Sequence, residues 1–438
     1  MNFRRCSAAY DDSSWHPEKG FANCKSPDFL SELPDSVREL WLDVSPNLIP
    51  SLKRFHQLER IRYSPPDANW LGAASLFAEL PAIEKLNVSI IHLENLPGVA
   101  ETDEAISKLK SATTLRELSV PAPGVTKAGL VPLLAACPLE SLSIQGPVFF
   151  DQELAEAVSR SRALRDFEVW NAFFLGTATL QSMLQGNQMK KLALNWLATI
   201  RESSSLQGSW FEAFVKDPRE ALFRCELQDR GASDEALGAF NVSSNLESLT
   251  MDRCDRITDA GIASITRLRR LKDLSIEDTR ITNNGSQALG VLTELESLSI
   301  SFSPSLTGDA GAGAWRNLTK LRHLQPSYCA GLTDDFIEAI TPLNELKTIL
   351  LNGCAGITDA GVAKLARFPN LERTSLSLCR SNDHPGNPCP ETVLAVLNAC
   401  PKLLWMDNTP DTWSGEDAAQ VSAILNQRIA ARRKPRTE

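Results

Sequence analysis

The sequence has 438 residues, with 45 Lys+Arg against 54 Asp+Glu and a formal net charge of −9. Hydrophobic residues make up 43% of it and charged residues 23%, which are ordinary values for a globular protein and exclude wholesale disorder. The acidic balance excludes a generally basic nucleic-acid binder, because an overall negative charge repels phosphate.

The N-terminal segment lacks the pattern of a secretory signal. Arg4 and Arg5 are followed by polar residues, among them Asp11 and Asp12, where an apolar h-region would be required. No window approaches the roughly 18 consecutive apolar residues of a transmembrane helix. The 10 cysteines are too sparse for a disulfide scaffold. We therefore expect a cytoplasmic protein, or one secreted into a host cell without a cleavable signal peptide.

A box of the form apolar-x-x-apolar-x-apolar recurs along the chain. The clearest copy runs from Leu246 to Met251 and reads Leu-Glu-Ser-Leu-Thr-Met. Because side chains alternate between the two faces of a strand, each box predicts a short strand with one apolar face, which stacking in parallel would bury. Successive boxes begin 21 to 33 residues apart, at Val37, Leu58, Ile83, Leu115, Leu139, Leu164, Met189, Leu222, Leu246, Leu271, Leu295, Leu321, Leu346, Leu371 and Leu403.

A second element follows the strand in the most regular copies. It reads Ile-Thr-Asp-Ala-Gly at Ile257–Gly261 and again at Ile357–Gly361. Thr and Asp are natural N-cap residues, since their oxygens accept the free N–H groups at a helix start. The small Ala and Gly residues would let the helix lie close to the neighbouring repeat, and Ile262 and Ile265 then face inward at helical spacing. Each repeat is thus predicted to be strand, turn and short helix.

Four of the boxes are followed by a cysteine, which lies eight positions after the first apolar residue of the box. These cysteines are Cys254, Cys329, Cys354 and Cys379. Together with Ile-Thr-Asp-x-Gly, this spacing resembles the cysteine-containing class of leucine-rich repeats. That class is best known from F-box substrate-recognition subunits of ubiquitin ligases and also occurs in GALA-type bacterial effectors. The resemblance implies an α/β leucine-rich-repeat solenoid of about fifteen repeats, a horseshoe with a concave parallel β-sheet and short convex helices. No F-box is recognisable, because only 36 residues precede the first box.

The domain organisation follows from the repeats. We expect residues 1–36 to be an N-terminal cap or a flexible export or targeting segment, and a polar, serine-containing start is compatible with type III export. Residues 37–409 form the solenoid, and residues 410–438 a C-terminal capping helix with a basic tail. Two long repeats hold insertions, at 195–221 and 380–390, that we expect to emerge as surface loops.

Metal and catalytic sites are not indicated. Cys379, His384, Cys389 and Cys400 are all metal-ligand types, but their spacing differs from zinc motifs, and two of them occupy ordinary repeat positions. Gly-x-Ser-x-Gly, P-loop and His-Glu-x-x-His patterns are missing. We expect no metal, no cofactor, no catalytic residues and no enzymatic activity.

The concave face is the predicted site of function, because residues between the apolar positions of each strand point there. Its charges alternate between a basic and an acidic patch, which favours a protein partner of mixed charge, and exposed tryptophans are typical binding anchors. The alternative is that these charges merely solvate the face and the tryptophans pack under loops. The predicted partner-binding residues are Trp41, Arg60, Arg62, Lys85, Trp170, Asp252, Asp273, Glu277 and Trp405.

The predicted function is protein–protein interaction through the concave face, as a bacterial effector acting on host proteins. We expect a monomer that binds neither nucleic acid nor membrane. Two alternatives stay open. One is a substrate-recognition subunit of a ubiquitin-ligase-type complex, and the other is an enzyme whose site is unmarked by motifs.

Overall fold

The computed structural model describes residues 14–16, 19, 21–43, 46–64, 71–80, 82–88, 99–122, 125–185, 188–194, 197–200, 233–242, 245–251, 254–379, 388–407, 413 and 415–433. The chain forms two compact units, Met1–Asp229 and Arg230–Glu438. Each unit is a stack of parallel strands with short helices between them. None of the described helices is both long and apolar enough to cross a membrane.

The strands of the first unit follow one another in space in the order of the chain. Neighbours from β2 to β9 pair in parallel, whereas β1 pairs with β2 in antiparallel orientation. The strands are β1 (Ser14–His16), β2 (Phe21–Cys24), β3 (Glu39–Leu42), β4 (Arg60–Tyr63), β5 (Lys85–Val88), β6 (Glu117–Pro121), β7 (Ser141–Phe150), β8 (Asp166–Leu175), β9 (Lys191–Leu194) and β10 (Leu197–Ile200).

Helical segments connect these strands. The α-helices of the first unit are α1 (Pro27–Glu32), α2 (Leu71–Ala78), α3 (Val99–Lys108), α4 (Lys127–Ala136), α5 (Gln152–Arg160) and α6 (Gly176–Leu184). Two connections are 3₁₀ helices, Pro46–Arg54 and Leu109–Ser111.

The second unit repeats the same arrangement. Its strands pair in parallel in chain order: β11 (Ser248–Met251), β12 (Asp273–Ile276), β13 (Ser297–Ser299), β14 (His323–Gln325), β15 (Thr348–Leu350), β16 (Arg373–Ser375) and β17 (Trp405–Asp407). Its α-helices are α7 (Asp234–Ala239), α8 (Asp259–Ile265), α9 (Asn283–Ala288), α10 (Asp334–Ile340), α11 (Asp359–Ala363), α12 (Pro390–Ala399) and α13 (Gly415–Arg433). The 3₁₀ helices are Phe240–Val242, Leu289–Val291, Ala312–Asn317 and Lys364–Arg367.

The predicted strands are confirmed. Each predicted box within the described residues leads into a strand that begins two positions after the box does, and the box at Leu222 lies outside those residues. Equivalent apolar positions stand side by side, so that Leu249 pairs with Leu274 and Leu274 with Leu298, all of them buried. Stacking in this register produces a continuous apolar core, which a single repeat cannot form.

The helix starts differ from the expectation in one respect. Thr258 caps α8, since its side chain accepts the N–H of Ala260, as predicted. The aspartate that follows the N-cap residue, however, serves the next repeat: the carboxylate of Asp234, which follows the capping Ser233, accepts the Thr258 N–H at 2.8 Å and the Thr258 hydroxyl at 2.6 Å. The Gly of the motif makes room for this carboxylate, because a Cβ on Gly261 would lie 2.4 Å from Asp234 Oδ1.

Four of the described repeats depart from the predicted strand–turn–helix unit. The connection from β3 to β4 is the 3₁₀ helix Pro46–Arg54. An extra residue, Gly308, separates Thr307 from Asp309, and the connection that follows is the 3₁₀ helix Ala312–Asn317 rather than an α-helix. β7 and β8 run on past their boxes, where Phe150 stacks on Phe174 at 4.5 Å and both rings are buried. These apolar rings give the longer strands a core of their own.

The insertion at 195–221 was expected to be a loop, but it contains β10. This strand pairs in parallel with the second half of β8, from Leu197 beside Ala172 to Ile200 beside Leu175. The residues after Ile200 and most of the insertion at 380–390 lie outside the described part of the chain. β10 forms because the extended β8 offers it an unpaired edge.

The C-terminal helix of the described chain packs against the last repeats. On α13, Arg428 donates to the carbonyls of Leu397, Cys400 and Leu403 at 2.6 to 3.0 Å. The indole of Trp413 is buried and donates to the Pro388 carbonyl. These contacts attach α13 to α12, while the division into cap, solenoid and C-terminal segment stays a prediction.

The fold is α/β and of the leucine-rich-repeat solenoid type. Three features define it. Each repeat contributes one parallel strand, the leucines of neighbouring strands are buried in register, and the start of each helix is hydrogen-bonded to the next repeat in the regular copies. The alternation inside each strand sends the residues between the leucines to the exposed face, as β4 shows, where Arg60 and Arg62 are exposed and Ile61 and Tyr63 are buried.

Candidate functional site

Four of the predicted binding residues come together on three adjacent strands. Trp41 of β3 stands beside Arg62 of β4, and Arg60 of β4 stands between Glu39 of β3 and Lys85 of β5. The parallel register places these side chains on one face of the sheet. The sequence pattern therefore located a real cluster.

Trp41 is exposed, at 37% of its surface, yet it is held on three sides. Its indole N–H donates to Glu39 Oε1 at 3.0 Å. The Phe21 ring meets it edge-on at 4.9 Å between centroids, and the Arg62 guanidinium lies over it at 4.6 Å. A large apolar side chain fixed before binding loses little conformational entropy when a partner covers it.

The basic patch on these strands is partly neutralised. Arg60 Nη1 lies 3.7 Å from Glu39 Oε2, and Lys85 pairs with Glu117 on β6. Arg62 forms no ion pair with any residue that the structure describes. Glu117 was not among the predicted site residues, although its place two positions after Leu115 marks it as a face residue.

Arg60, Arg62 and Lys85 line a depression of about 440 Å³ in the sheet face, and Trp41 lies beside it against Arg62. The walls of the depression are mostly polar and carry both signs of charge, while the side chains of Ile61, Leu86 and Leu118 point away from it into the core. The lining residues are Glu39, Arg60, Ile61, Arg62, Lys85, Leu86, Asn87, Glu117, Leu118, Ser119 and Ser141. A volume of this size is large enough for one or two side chains of a partner or for a small ligand.

The other two predicted tryptophans are exposed at separate places. Trp170 on β8 is 48% exposed, and its indole donates to Glu168 Oε1 at 3.2 Å. Trp405 on β17 lies under the guanidinium of Arg373 on the neighbouring strand, whose Cζ atom is 4.8 Å from the centroid of the Trp405 ring. Each shares one feature with Trp41. A carboxylate orients the indole of Trp170, and an arginine covers the ring of Trp405.

The acidic patch is described only in part, because Asp252 lies outside the described residues. Asp273 begins β12 and is exposed, and Glu277 follows the end of the same strand. Four residues of extended chain separate them by roughly 13 Å. Glu277 accepts hydrogen bonds from the hydroxyls of Ser299 and Ser275, at 2.8 and 3.5 Å.

The sequence analysis missed a row of exposed apolar side chains in the second unit. Phe302, Tyr328 and Leu378 are 45, 46 and 54% exposed. Each directly precedes the position that a cysteine occupies in the regular repeats. The sequence pattern that could have revealed this row is a bulky apolar residue at the start of the turn after the strand in three repeats.

The repeat cysteines lie in the core. Cys329, Cys354 and Cys379 are fully buried, and each thiol points at a backbone carbonyl 3.2 to 3.4 Å away. Burial raises the pKa of Cys329 to about 11 and that of Cys379 to about 12, so both stay protonated thiols at neutral pH. They pack as small apolar groups.

The candidate metal cluster is described only in part, since His384 lies outside the described residues. Cys400 is buried, with its thiol 3.4 Å from the Leu365 carbonyl, and Cys389 is the N-cap residue of α12. Within the described ranges, no group of three or more His, Cys, Asp or Glu side chains is placed to hold a metal ion.

Known proteins resemble this chain in fold. No family model matches it. Among solved structures it is similar to the internalin InlF of Listeria monocytogenes, at 16% identity and a TM-score of 0.46, over 88% of this chain and 93% of that one. It is also similar to a structure of the Rad7 and Elc1 complex in yeast, at 17% identity and a TM-score of 0.46, over 86% of this chain and 77% of that one. The leucine-rich-repeat assignment rests on the strand register and the buried repeat positions of the chain itself.

Proposed function

We propose that the protein is a protein-recognition module whose binding site is the depression on β3 to β7 together with Trp41, which lies beside it against Arg62. The observation that carries the proposal is the fixed position of Trp41, exposed at the sheet face and held by Glu39, Phe21 and Arg62. Binding sites in proteins concentrate their energy in a few such aromatic and arginine residues.

The charges of the depression support a protein partner. Arg62 keeps its guanidinium edge open while its face lies on Trp41, so it can receive a carboxylate in two parallel hydrogen bonds. Glu39 and Glu117 add negative charge nearby, which suits a surface of mixed charge better than a polyanion. The partner would place an acidic side chain on Arg62 and cover Trp41.

The finer proposal is that the chain is a bacterial effector that acts on host proteins, without catalytic chemistry of its own and as a monomer. Its support is the resemblance of the cysteine-bearing repeats to GALA-type effectors. A reporter fused to residues 1–36 tests the export part, and light scattering of the purified chain tests the monomer. A reporter that stays in the bacterium would contradict export.

Capture from cell lysates followed by mass spectrometry tests the binding site. The baits are the wild type, Trp41→Ala, Arg62→Glu and, as a control with the same charge change on an exposed lysine beyond α3, Lys110→Glu. A protein that is retained by the wild type and by Lys110→Glu, but lost from both site variants, supports the proposal. Equal retention by all four folded baits contradicts it.

The same experiment addresses the two alternatives. A Skp1-like adaptor that is captured by the wild type and lost when residues 1–36 are removed would favour a ubiquitin-ligase subunit. Turnover of a captured protein that one conservative substitution abolishes would favour an enzyme.

A further inference from the structure

Five successive repeats of the second unit place a residue in the left-handed backbone conformation at the same position. The φ angles are +58° at Asp278, +57° at Phe302, +60° at Tyr328, +71° at Gly353 and +63° at Leu378. Glycine and asparagine adopt this conformation readily, whereas bulky side chains do so at a cost. We call these five residues the left-handed row.

Hydrogen bonds between repeats hold the row in place. The N–H of each of the first four residues donates to the carbonyl one position before the next member: Asp278 to Ser301 at 2.9 Å, Phe302 to Ser327 at 2.9 Å, and Gly353 to Ser377 at 2.8 Å, with Tyr328 to Asn352 between them. The backbone therefore fixes the direction of every side chain in the row.

The aromatic members form a stack. The Phe302 and Tyr328 rings lie 4.5 Å apart and within 9° of parallel. The Tyr328 ring in turn covers Gly353, where a Cβ would lie 2.5 Å from its Cδ1 atom. One face of Phe302 is thus occupied by Tyr328, and the other is directed toward the preceding repeat, which contributes Asp278.

The charge beside the open face of Phe302 is negative. Asp278 is exposed and forms no ion pair with any residue in the described ranges, and Arg280, two positions on, does not pair with it either. Glu277 adds a second carboxylate, which the Ser299 hydroxyl orients. An aromatic face next to carboxylates attracts a cation from both sides.

We infer that the left-handed row is a docking surface for a protein segment that carries an arginine next to an apolar residue. The guanidinium would lie flat on Phe302 and meet the Asp278 carboxylate, as planar cations do at such sites. The apolar neighbour would cover Tyr328, which is 46% exposed. This surface is independent of the depression on β3 to β7, which belongs to the other unit.

Fluorine NMR gives a local readout of this surface. The chain has three tyrosines, Tyr10, Tyr63 and Tyr328. In the full chain labelled with 3-fluorotyrosine, the Tyr328→Phe variant assigns the Tyr328 signal. Dodecapeptides selected from a random phage library supply the probes, and each is also made with citrulline, a neutral analogue, in place of arginine.

We expect the selected peptides to be enriched in arginine with an apolar neighbour and to shift the Tyr328 signal. Citrulline, Asp278→Asn and Phe302→Asn should each weaken binding about tenfold or more. Asparagine keeps the left-handed conformation at both positions, so these variants fold. The controls Glu345→Gln and Val291→Asn, an exposed carboxylate and an exposed valine outside the row, should change the affinity less than about twofold.

Three results would overturn the inference: a library that yields no binders, peptides that lack basic residues, or binding that leaves the Tyr328 signal in place. Equal affinity of the arginine and citrulline forms would also overturn it, since the cation would then contribute nothing. Failure here leaves the proposed site around Trp41 untouched, because the capture experiment uses other variants.

Discussion

The carboxylate of Asp334 accepts two hydrogen bonds from Thr358, one from its N–H at 2.8 Å and one from its hydroxyl at 2.6 Å. The two residues occupy equivalent helix starts in adjacent repeats. The same pair of bonds joins Asp103 to Thr126, Asp234 to Thr258 and Asp259 to Thr282. Coupling between neighbours of this kind is what gives a repeat protein its cooperativity.

Asp334→Ala should lower the free energy of unfolding by about 2 kcal/mol, because it leaves the Thr358 N–H and hydroxyl without their charged acceptor. Urea denaturation measures this. The matched control is Asp335→Ala, which removes an exposed carboxylate from the same helix turn. That carboxylate accepts a long hydrogen bond, 3.4 Å, from the Thr333 hydroxyl, and its loss should cost less than about 0.5 kcal/mol. Equal losses in the two variants would refute the link between repeats.

Gly361→Ala should destabilise the protein although alanine favours helices. The added Cβ would lie 2.1 Å from Asp334 Oδ1, so the carboxylate would have to leave Thr358. Gly313→Ala is the control, since nothing lies within 4 Å of its Cβ position, and it should be neutral or stabilising by about 0.5 kcal/mol. Thermal unfolding of both variants decides the point; a stabilised Gly361→Ala would show that the contact is not needed.

Phe302→Asn should leave the free energy of unfolding within about 1 kcal/mol of the wild type. Relief of the left-handed strain, about 1–2 kcal/mol, offsets the lost stacking with Tyr328, about 0.5–1.5 kcal/mol. By contrast, Phe336→Ala should cost about 3–5 kcal/mol, because that ring is fully buried. Calorimetry of both variants checks the contrast, and a large loss in Phe302→Asn would mean that the ring has a structural role.

Stability should fall as the pH rises from about 9 to about 11. Burial raises the pKa of Cys329 from 9.0 to about 11, so above pH 9 the unfolded chain loses this proton while the folded chain keeps it. Cys329→Ala removes the effect. The difference in the free energy of unfolding between the wild type and this variant should therefore shrink by about 2 kcal/mol between pH 8 and pH 11. Urea denaturation under reducing conditions measures this.

The control for the pH experiment is Cys389→Ala, at a half-buried position. Because solvent already reaches that thiol, its removal should alter the pH dependence less. If the free energy of unfolding of Cys329→Ala differs from that of the wild type by the same amount at every pH, burial does not raise the pKa of this thiol.

Much of the fold could be predicted from the sequence, because the same apolar pattern, and with it the same packing contact, occurs in every repeat. A leucine such as Leu274 must bury its side chain against Leu249 and Leu298, and the spacing of two within the strand then fixes which residues face outward. Trp41, Arg60, Arg62 and Lys85 were located by this alternation alone. The register between strands follows from the same rule, since a shift by one residue would expose the leucines.

Other features depend on contacts between repeats that no local pattern encodes. The sequence assigned Asp259 to its own helix start, but its carboxylate binds Thr282 of the next repeat, because stacking brings that helix start within hydrogen-bond distance. Pairing with Glu39 and Glu117 turned a basic patch into one of mixed charge. The sequence by itself determined the strands, their apolar faces and the exposed positions, since these depend on period alone; only the tertiary structure decided which charges pair and that Phe302 stacks on Tyr328, since both depend on distances across repeats.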